Sequence, residues 1–142
     1  MNGYIEIVKI WLKSTHEIDF QFVNDMGKNI FHMACLNGSV DTIRMIMGKL
    51  DERSSKAFNE QDEEGNTPLH CACLAQNYEM VELILKYSNI LNLNLKTRNL
   101  QKLTPYEMAV KIQCTNIIKL FENHFESEVE LTKEENESIL GL

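Results

Sequence analysis

The sequence predicts an all-α solenoid in which helix-turn-helix repeats stack side by side and are joined by loop or hairpin tips. Two observations in its 142 residues support this prediction. A nine-residue pattern occurs three times, and its first positions lie 38 and then 37 residues apart. A second apolar stripe opens sixteen residues after the start of each copy, at Ile43, Val81 and Ile118. Self-similarity at a period of roughly 20 to 50 residues is typical of solenoids. The three copies are Gly27–Cys35, Gly65–Cys73 and Lys102–Val110.

Each copy contains residues suited to begin a helix. Thr67 can accept a hydrogen bond from an early helical N–H, and Pro68 occupies the first helical position, where its missing N–H costs nothing. Thr104 and Glu107 have the spacing of a capping box, and Asn29 can cap the first copy. The pattern therefore predicts a helix directly after each of these caps.

The second copy, Gly65-Asn66-Thr67-Pro68-Leu69-His70-Cys71-Ala72, resembles the ankyrin repeat. That family's pattern runs G-x-T-P-L-H-x-A, and this copy matches it at every specified position. Phe58-Asn59 and Asp62 also fall where the family places its V-N and D. The resemblance covers roughly residues 2 to 123. It implies a domain at 1–125, made of a half repeat at 1–22 and repeats at about 23–57, 58–94 and 95–125.

Two links between repeats are longer than the family period of about 33 residues. The stretch from Gly48 to Ala57 is polar, and we expect it to project as a loop of the kind that often carries specificity. The second link, Asn89 to Asn99, mixes leucines with asparagines. Its pattern leaves open whether the leucines pack inward or face a partner.

The N-terminal half repeat raises a separate question. Its predicted helix, Tyr4 to Lys13, is apolar on more than one face, although end repeats of solenoids normally turn a polar face outward. Either the chain is a fragment of a longer array, or this helix meets a partner or a second copy of the chain. In the second case we expect self-association through Ile7 and Trp11, which would give a homodimer.

The charge of the chain is negative and unevenly distributed. Fourteen Lys and Arg residues stand against 21 Asp and Glu residues, which disfavours direct nucleic-acid binding. Five of the seven excess negative charges lie in residues 126–142. This acidic C-terminal tail is either a disordered segment or a short capping helix, for which Thr132 and Glu135 fit a capping box. Either form could engage a basic partner surface.

Neither a membrane-spanning run nor a secretion leader is evident, so we expect a cytoplasmic protein with no membrane contact. The four cysteines are predicted to be reduced and buried, and no second pair of ligands accompanies His70 and Cys71 to form a metal site. The family's histidine ties neighbouring loops together, and the resemblance implies this structural role for His32 and His70. No nucleophile, phosphate loop or paired-carboxylate motif is present, so the sequence predicts neither an enzyme nor a cofactor.

We expect a partner protein to bind on the concave surface that successive repeats share. Leu36 and Leu74 occupy the same position in adjacent repeats and would form an apolar pair there, a candidate hot spot. Aligned by repeat, the predicted partner-binding residues are Asp25, Met26, Lys28, Leu36 and Asn37, then Glu63, Glu64, Asn66 and Leu74, then Gln101, Leu103 and Lys111.

The predicted function is non-catalytic binding of another protein. A short, acidic ankyrin chain with lengthened links looks like the inhibitor-of-κB group, including its truncated viral members, which bind Rel-type transcription factors. The resemblance implies a cytoplasmic, and also nuclear, inhibitor whose partner places basic residues against Glu63, Glu64 and the acidic tail. The alternatives are a pathogen effector of host signalling, with a part in host-virus interaction, and a fragment of a larger scaffold.

Overall fold

The computed structural model describes residues 19–48 and 51–141. This part of the chain contains seven α-helices and no strand, which confirms the predicted all-α repeat stack. The helices are α1 (Ile30–Leu36), α2 (Val40–Met47), α3 (Glu52–Asn59), α4 (Pro68–Leu74), α5 (Tyr78–Lys86), α6 (Pro105–Lys111) and α7 (Thr115–Leu140).

The predicted helix starts are confirmed. The Asn29 side chain accepts hydrogen bonds from the backbone N–H groups of Phe31 and His32, and Thr67 accepts one from that of His70. Thr104 and Glu107 form a reciprocal capping box at the start of α6. These caps satisfy helix N–H groups that have no partner within the helix.

The first helices of successive repeats, α1, α4 and α6, pack side by side, and α5 packs against α7. Ala34, Ala72 and Ala109 are fully buried, as the close approach of these helices requires. Aromatic contacts continue the core at both ends. Phe31 lies between Phe20 and Phe58 with ring centroids 5.5 and 4.0 Å away, and Tyr106 contacts Phe121 and Phe125 at 5.8 Å each.

The expectation of a projecting loop at residues 48–57 is wrong, because Glu52–Asn59 form helix α3. Asp51 and Ser54 cap its start with reciprocal hydrogen bonds. Ala57 and Phe58 are buried on one side while the charged residues face solvent, so the helix is amphipathic. Burial of Phe58 against Phe31 offsets the low apolar content of the segment.

The second link turns its leucines inward. Leu91 is buried, Leu93 and Leu95 pack against the core, and Ile90 alone among these apolar side chains stays largely exposed. The link is joined to α3 by a hydrogen bond from the Ser55 hydroxyl to the Leu91 carbonyl. The two lengthened links therefore pack on each other.

The acidic tail is neither disordered nor a separate helix. Residues 126–140 continue α7 without interruption, so this helix has 26 residues while its counterparts α2 and α5 have 8 and 9. The Thr132 hydroxyl donates to the Val129 carbonyl inside the helix and caps nothing. Gly141, in a left-handed conformation, ends the helix.

The N-terminal half repeat, with the predicted self-association residues Ile7 and Trp11, lies outside the described residues. Its predicted helix and interface remain predictions.

Candidate binding groove

Three turns of the same geometry carry the loop tips; we call them tip 1 (residues 24–28), tip 2 (62–66) and tip 3 (99–103). Each turn starts with an Asx residue: Asn24, Asp62 or Asn99. Its side-chain oxygen accepts hydrogen bonds from the backbone N–H groups two and four residues later, at 2.9 to 3.1 Å. The recurring Asx residue thus fixes the shape of each tip.

The tips are linked to one another through the backbone. The N–H of Glu63 donates to the carbonyl of Met26 at 3.1 Å, and the N–H of Leu100 donates to the carbonyl of Glu64 at 3.0 Å. Adjacent tips therefore hold a fixed spacing.

Two buried histidines join tips 2 and 3 to the first helix of the preceding repeat. His32 Nε2 is 2.8 Å from the carbonyl oxygen of Asn66, and His70 Nε2 is 2.9 Å from that of Leu103. The Nδ1 atoms accept hydrogen bonds from the N-cap backbone N–H groups of Asn29 and Thr67. Burial lowers the pKa of both imidazoles and favours their neutral form. This geometry agrees with the loop-tying role that the resemblance implies.

Lys28 and Asn66 were expected to face a partner. This expectation is wrong, because both side chains are buried. Lys28 Nζ lies 2.6 Å from Asp62 Oδ2, and this ion pair joins tip 1 to tip 2. Burial alone would lower the pKa of Lys28, but the hydrogen bond and charge of Asp62 raise it. The side-chain oxygen of Asn66 accepts a hydrogen bond from Asn99 Nδ2 at 2.9 Å, which joins tip 2 to tip 3.

A groove of about 360 Å³ opens between tips 2 and 3 and the first helices behind them. Five predicted site residues line this groove, of which Asn66 is the buried one. Lys111 Nζ donates to Gln101 Oε1 at 2.9 Å, so these two side chains form one polar edge of the groove. The five residues are Glu64, Asn66, Leu74, Gln101 and Lys111.

The sequence reasoning missed the apolar part of this groove. Leu100 is 74% exposed at the end of tip 3, while Met108 and Ile112 line the groove from α6 and its C-terminal end. Leu100 stands where tips 1 and 2 have the acidic residues Asp25 and Glu63, and this difference between aligned positions was the signal that could have identified it.

Leu36 and Leu74, which were predicted to form an apolar pair, differ in solvent exposure. Leu74 is 41% exposed and lines the groove, whereas Leu36 is half-buried and packs against the core. Leu103 is also half-buried, and its carbonyl accepts the His70 hydrogen bond. The remaining predicted residues are exposed but do not line this groove: Asp25, Met26, Asn37 and Glu63.

The buried thiols of Cys35, Cys71 and Cys73 are poorly suited to nucleophilic chemistry. Burial raises the pKa of Cys71 to about 12 and raises those of Cys35 and Cys73 as well, so all three stay protonated. Within residues 19–48 and 51–141, no cluster of three His, Cys, Asp or Glu side chains is arranged to hold a metal ion.

The comparison with known families agrees with this architecture. The family model for ankyrin repeats in three copies matches residues 1–97 and again residues 50–133. The chain is a member of the ankyrin repeat family. The repeats identify it as a protein–protein interaction module, of a fold that is non-catalytic.

Segments of two relatives are similar to this chain. The human transient receptor potential cation channel subfamily A member 1 is 32% identical over 112 residues, which are 78% of this chain and 9% of that protein. Mouse Rabankyrin-5 is 30% identical over 84 residues, which are 59% of this chain and 6% of that protein. The chain therefore spans less than a tenth of the length of either relative.

In the part of the chain that the structure describes, no helix combines the length and apolar character needed to cross a bilayer.

Proposed function

We propose that this ankyrin repeat chain is an inhibitor or adaptor that holds one partner protein in the groove between tips 2 and 3. The observation that carries the proposal is the apolar lining formed by Leu74, Leu100 and Ile112, which polar side chains surround. Hot spots of protein interfaces combine such an apolar centre with a polar rim.

The partner is a transcription factor or signalling protein that presents a basic patch, and it is met in the cytoplasm or nucleus. Glu63 and Glu64 of tip 2 are both exposed; Glu64 lines the groove and Glu63 lies next to it in sequence, so this edge of the groove is negatively charged. A cationic side chain of the partner would be attracted there. The resemblance to the inhibitor-of-κB group stated from the sequence implies the same arrangement.

The groove is tested by affinity capture from cytosol with matched variants. We expect Leu74→Ser combined with Leu100→Ser to reduce recovery of the captured protein at least tenfold. The control combines Ile90→Ser with Leu131→Ser, since these side chains are also exposed and apolar but lie outside the groove. Equal recovery with both pairs, at unchanged circular dichroism, would contradict the proposal.

A second candidate is a segment of a larger scaffold, favoured by the small share of each relative that the chain covers. Light scattering over a concentration series distinguishes the two. A monomer agrees with the inhibitor or adaptor. Self-association that is lost on changing Ile7 or Trp11 to a charged residue favours a segment whose N-terminal helix is normally covered.

A further inference from the structure

Helix α7 extends well beyond the repeat to which it belongs. Phe125 is its last residue in aromatic contact with the stack, through Tyr106 and Phe121. From residue 126 to 140 every side chain is exposed except Glu128, which is half-buried. At 1.5 Å per residue, this extension presents a helix surface roughly 22 Å long.

One face of the extension has the spacing of a coiled-coil seam. Starting at Phe125, the residues of this face follow at alternating intervals of four and three positions, which places them in one row along a helix. Val129 is 52% exposed and Ile139 82% exposed, so the face is open to solvent. We call it the α7 seam; its residues are Phe125, Val129, Thr132, Asn136 and Ile139.

The residues beside the α7 seam are mostly acidic. Glu126, Glu128 and Glu135 flank it together with Lys133, and the extension as a whole has six Glu residues against this one Lys. Glu128 lies 3.3 Å from His124 Nε2. In the described part of the chain, no basic side chain lies within ion-pair distance of the other five carboxylates. This acidic face is therefore open to cations of another molecule or of the solvent.

We propose that the α7 seam binds an amphipathic helix of a partner protein, with apolar residues at heptad spacing and Lys or Arg on both flanks. The apolar residues of that helix pack on Val129 and Ile139, and its cations pair with Glu126 and Glu135. A second copy of this chain fits poorly, because two such extensions repel each other. The seam is two heptads long with polar Thr132 and Asn136 in it, so binding is weak and sensitive to salt. This site does not depend on the groove.

The test uses the full chain and a labelled synthetic peptide of three heptads, with Leu at every a and d position and Lys at every e and g position. We expect fluorescence anisotropy to show binding at low salt that weakens at physiological salt. The same peptide with Glu at e and g is not expected to bind. Val129→Ser with Ile139→Ser should weaken binding at least tenfold, while Leu131→Ser, on the opposite side of α7 and 56% exposed, should leave it unchanged.

Charge-matched variants distinguish a helix bound on the α7 seam from non-specific electrostatic attraction to the acidic extension. Glu126→Lys with Glu135→Lys changes residues beside the seam, and Glu130→Lys with Glu134→Lys makes the same charge change away from it. We expect at least tenfold weaker binding for the first pair and a clearly smaller loss for the second. Equal losses, or a chain that forms dimers through α7 and leaves the peptide free, would overturn the proposal. Circular dichroism of each variant checks that α7 stays helical.

Discussion

In tips 1 and 2 the left-handed residue is a glycine, whereas Lys102 occupies the equivalent position of tip 3. Gly27 and Gly65 have φ of 71° and 75°. A Cβ on Gly65 would lie 2.7 Å from the backbone N of Leu100, whereas one on Gly27 would lie 3.2 Å from that of Glu63. We expect Gly65→Ala to lower the free energy of unfolding by about 3 kcal/mol, through backbone strain and this clash. Gly27→Ala is the control with the smaller loss; equal losses in urea denaturation would refute the role of the clash.

The ion pair of Lys28 and Asp62 makes a second prediction about single residues. Lys28→Met would leave the buried Asp62 carboxylate without its cation, and we expect a loss of about 3 kcal/mol in unfolding free energy. Lys119→Met, at an exposed position, is the control and should change little. If Lys28→Met were as stable as the control, the ion pair would not hold tips 1 and 2 together.

Among the larger elements, the contact of α3 with the second link depends on Asn59. Its amide donates to the carbonyls of Ser55 and Asn92 at 3.0 and 3.1 Å, and its oxygen accepts from the N–H of Asn94 at 2.8 Å. Asn59→Ala should cost about 1 to 3 kcal/mol, since these groups lose their partner. The exposed Asn89 on the same link provides the control, Asn89→Ala. Thermal unfolding of both variants measures the difference, and equal midpoints would argue against this role.

The helices that the sequence predicts best are those with a cap followed by an apolar stripe. The caps formed by Thr67-Pro68 and by Thr104 with Glu107 involve only residues close together in the sequence. The sequence alone therefore predicts where these two helices begin. Helix α3 was missed because its stability depends on distant contacts, above all Phe58 packing on Phe31. The length of α7 was missed because the run of Glu residues resembles a solvated tail, and the continuous helix is evident only in the folded structure.

For the molecule as a whole, pH should act through the two histidines that connect successive repeats. Burial in the folded state lowers the pKa of His32 and His70 below 6.5, the ordinary value for histidine. Below about pH 6.5 the unfolded chain therefore binds more protons, so stability is highest above this value and falls as the solution becomes more acidic. We expect a lower free energy of unfolding at pH 5.5 than at pH 7.5. The difference should shrink in a His32→Gln and His70→Gln variant; an unchanged difference would assign the effect to other groups.

The candidate groove was predictable in outline and not in detail. Aligning the repeats identified Leu74, Glu64 and Lys111 because equivalent positions of a solenoid form one surface. The same alignment could not tell that Lys28 and Asn66 turn inward, since their burial depends on Asp62 and Asn99 in the next repeat. Leu100 occupies the position of Asp25 and Glu63 in this alignment, but its apolar side chain departs from their acidic character, so a search for polar tip residues did not select it.

The two backbone hydrogen bonds between tips also allow the opening of each repeat boundary to be measured separately. The amide protons of Glu63 and Leu100 each bond to the preceding tip, so each exchanges with deuterium only when its own boundary opens. Their two exchange rates would measure how often each boundary separates. A ligand seated between tips 2 and 3 would slow exchange at Leu100 more than at Glu63, and so reveal which boundary it bridges.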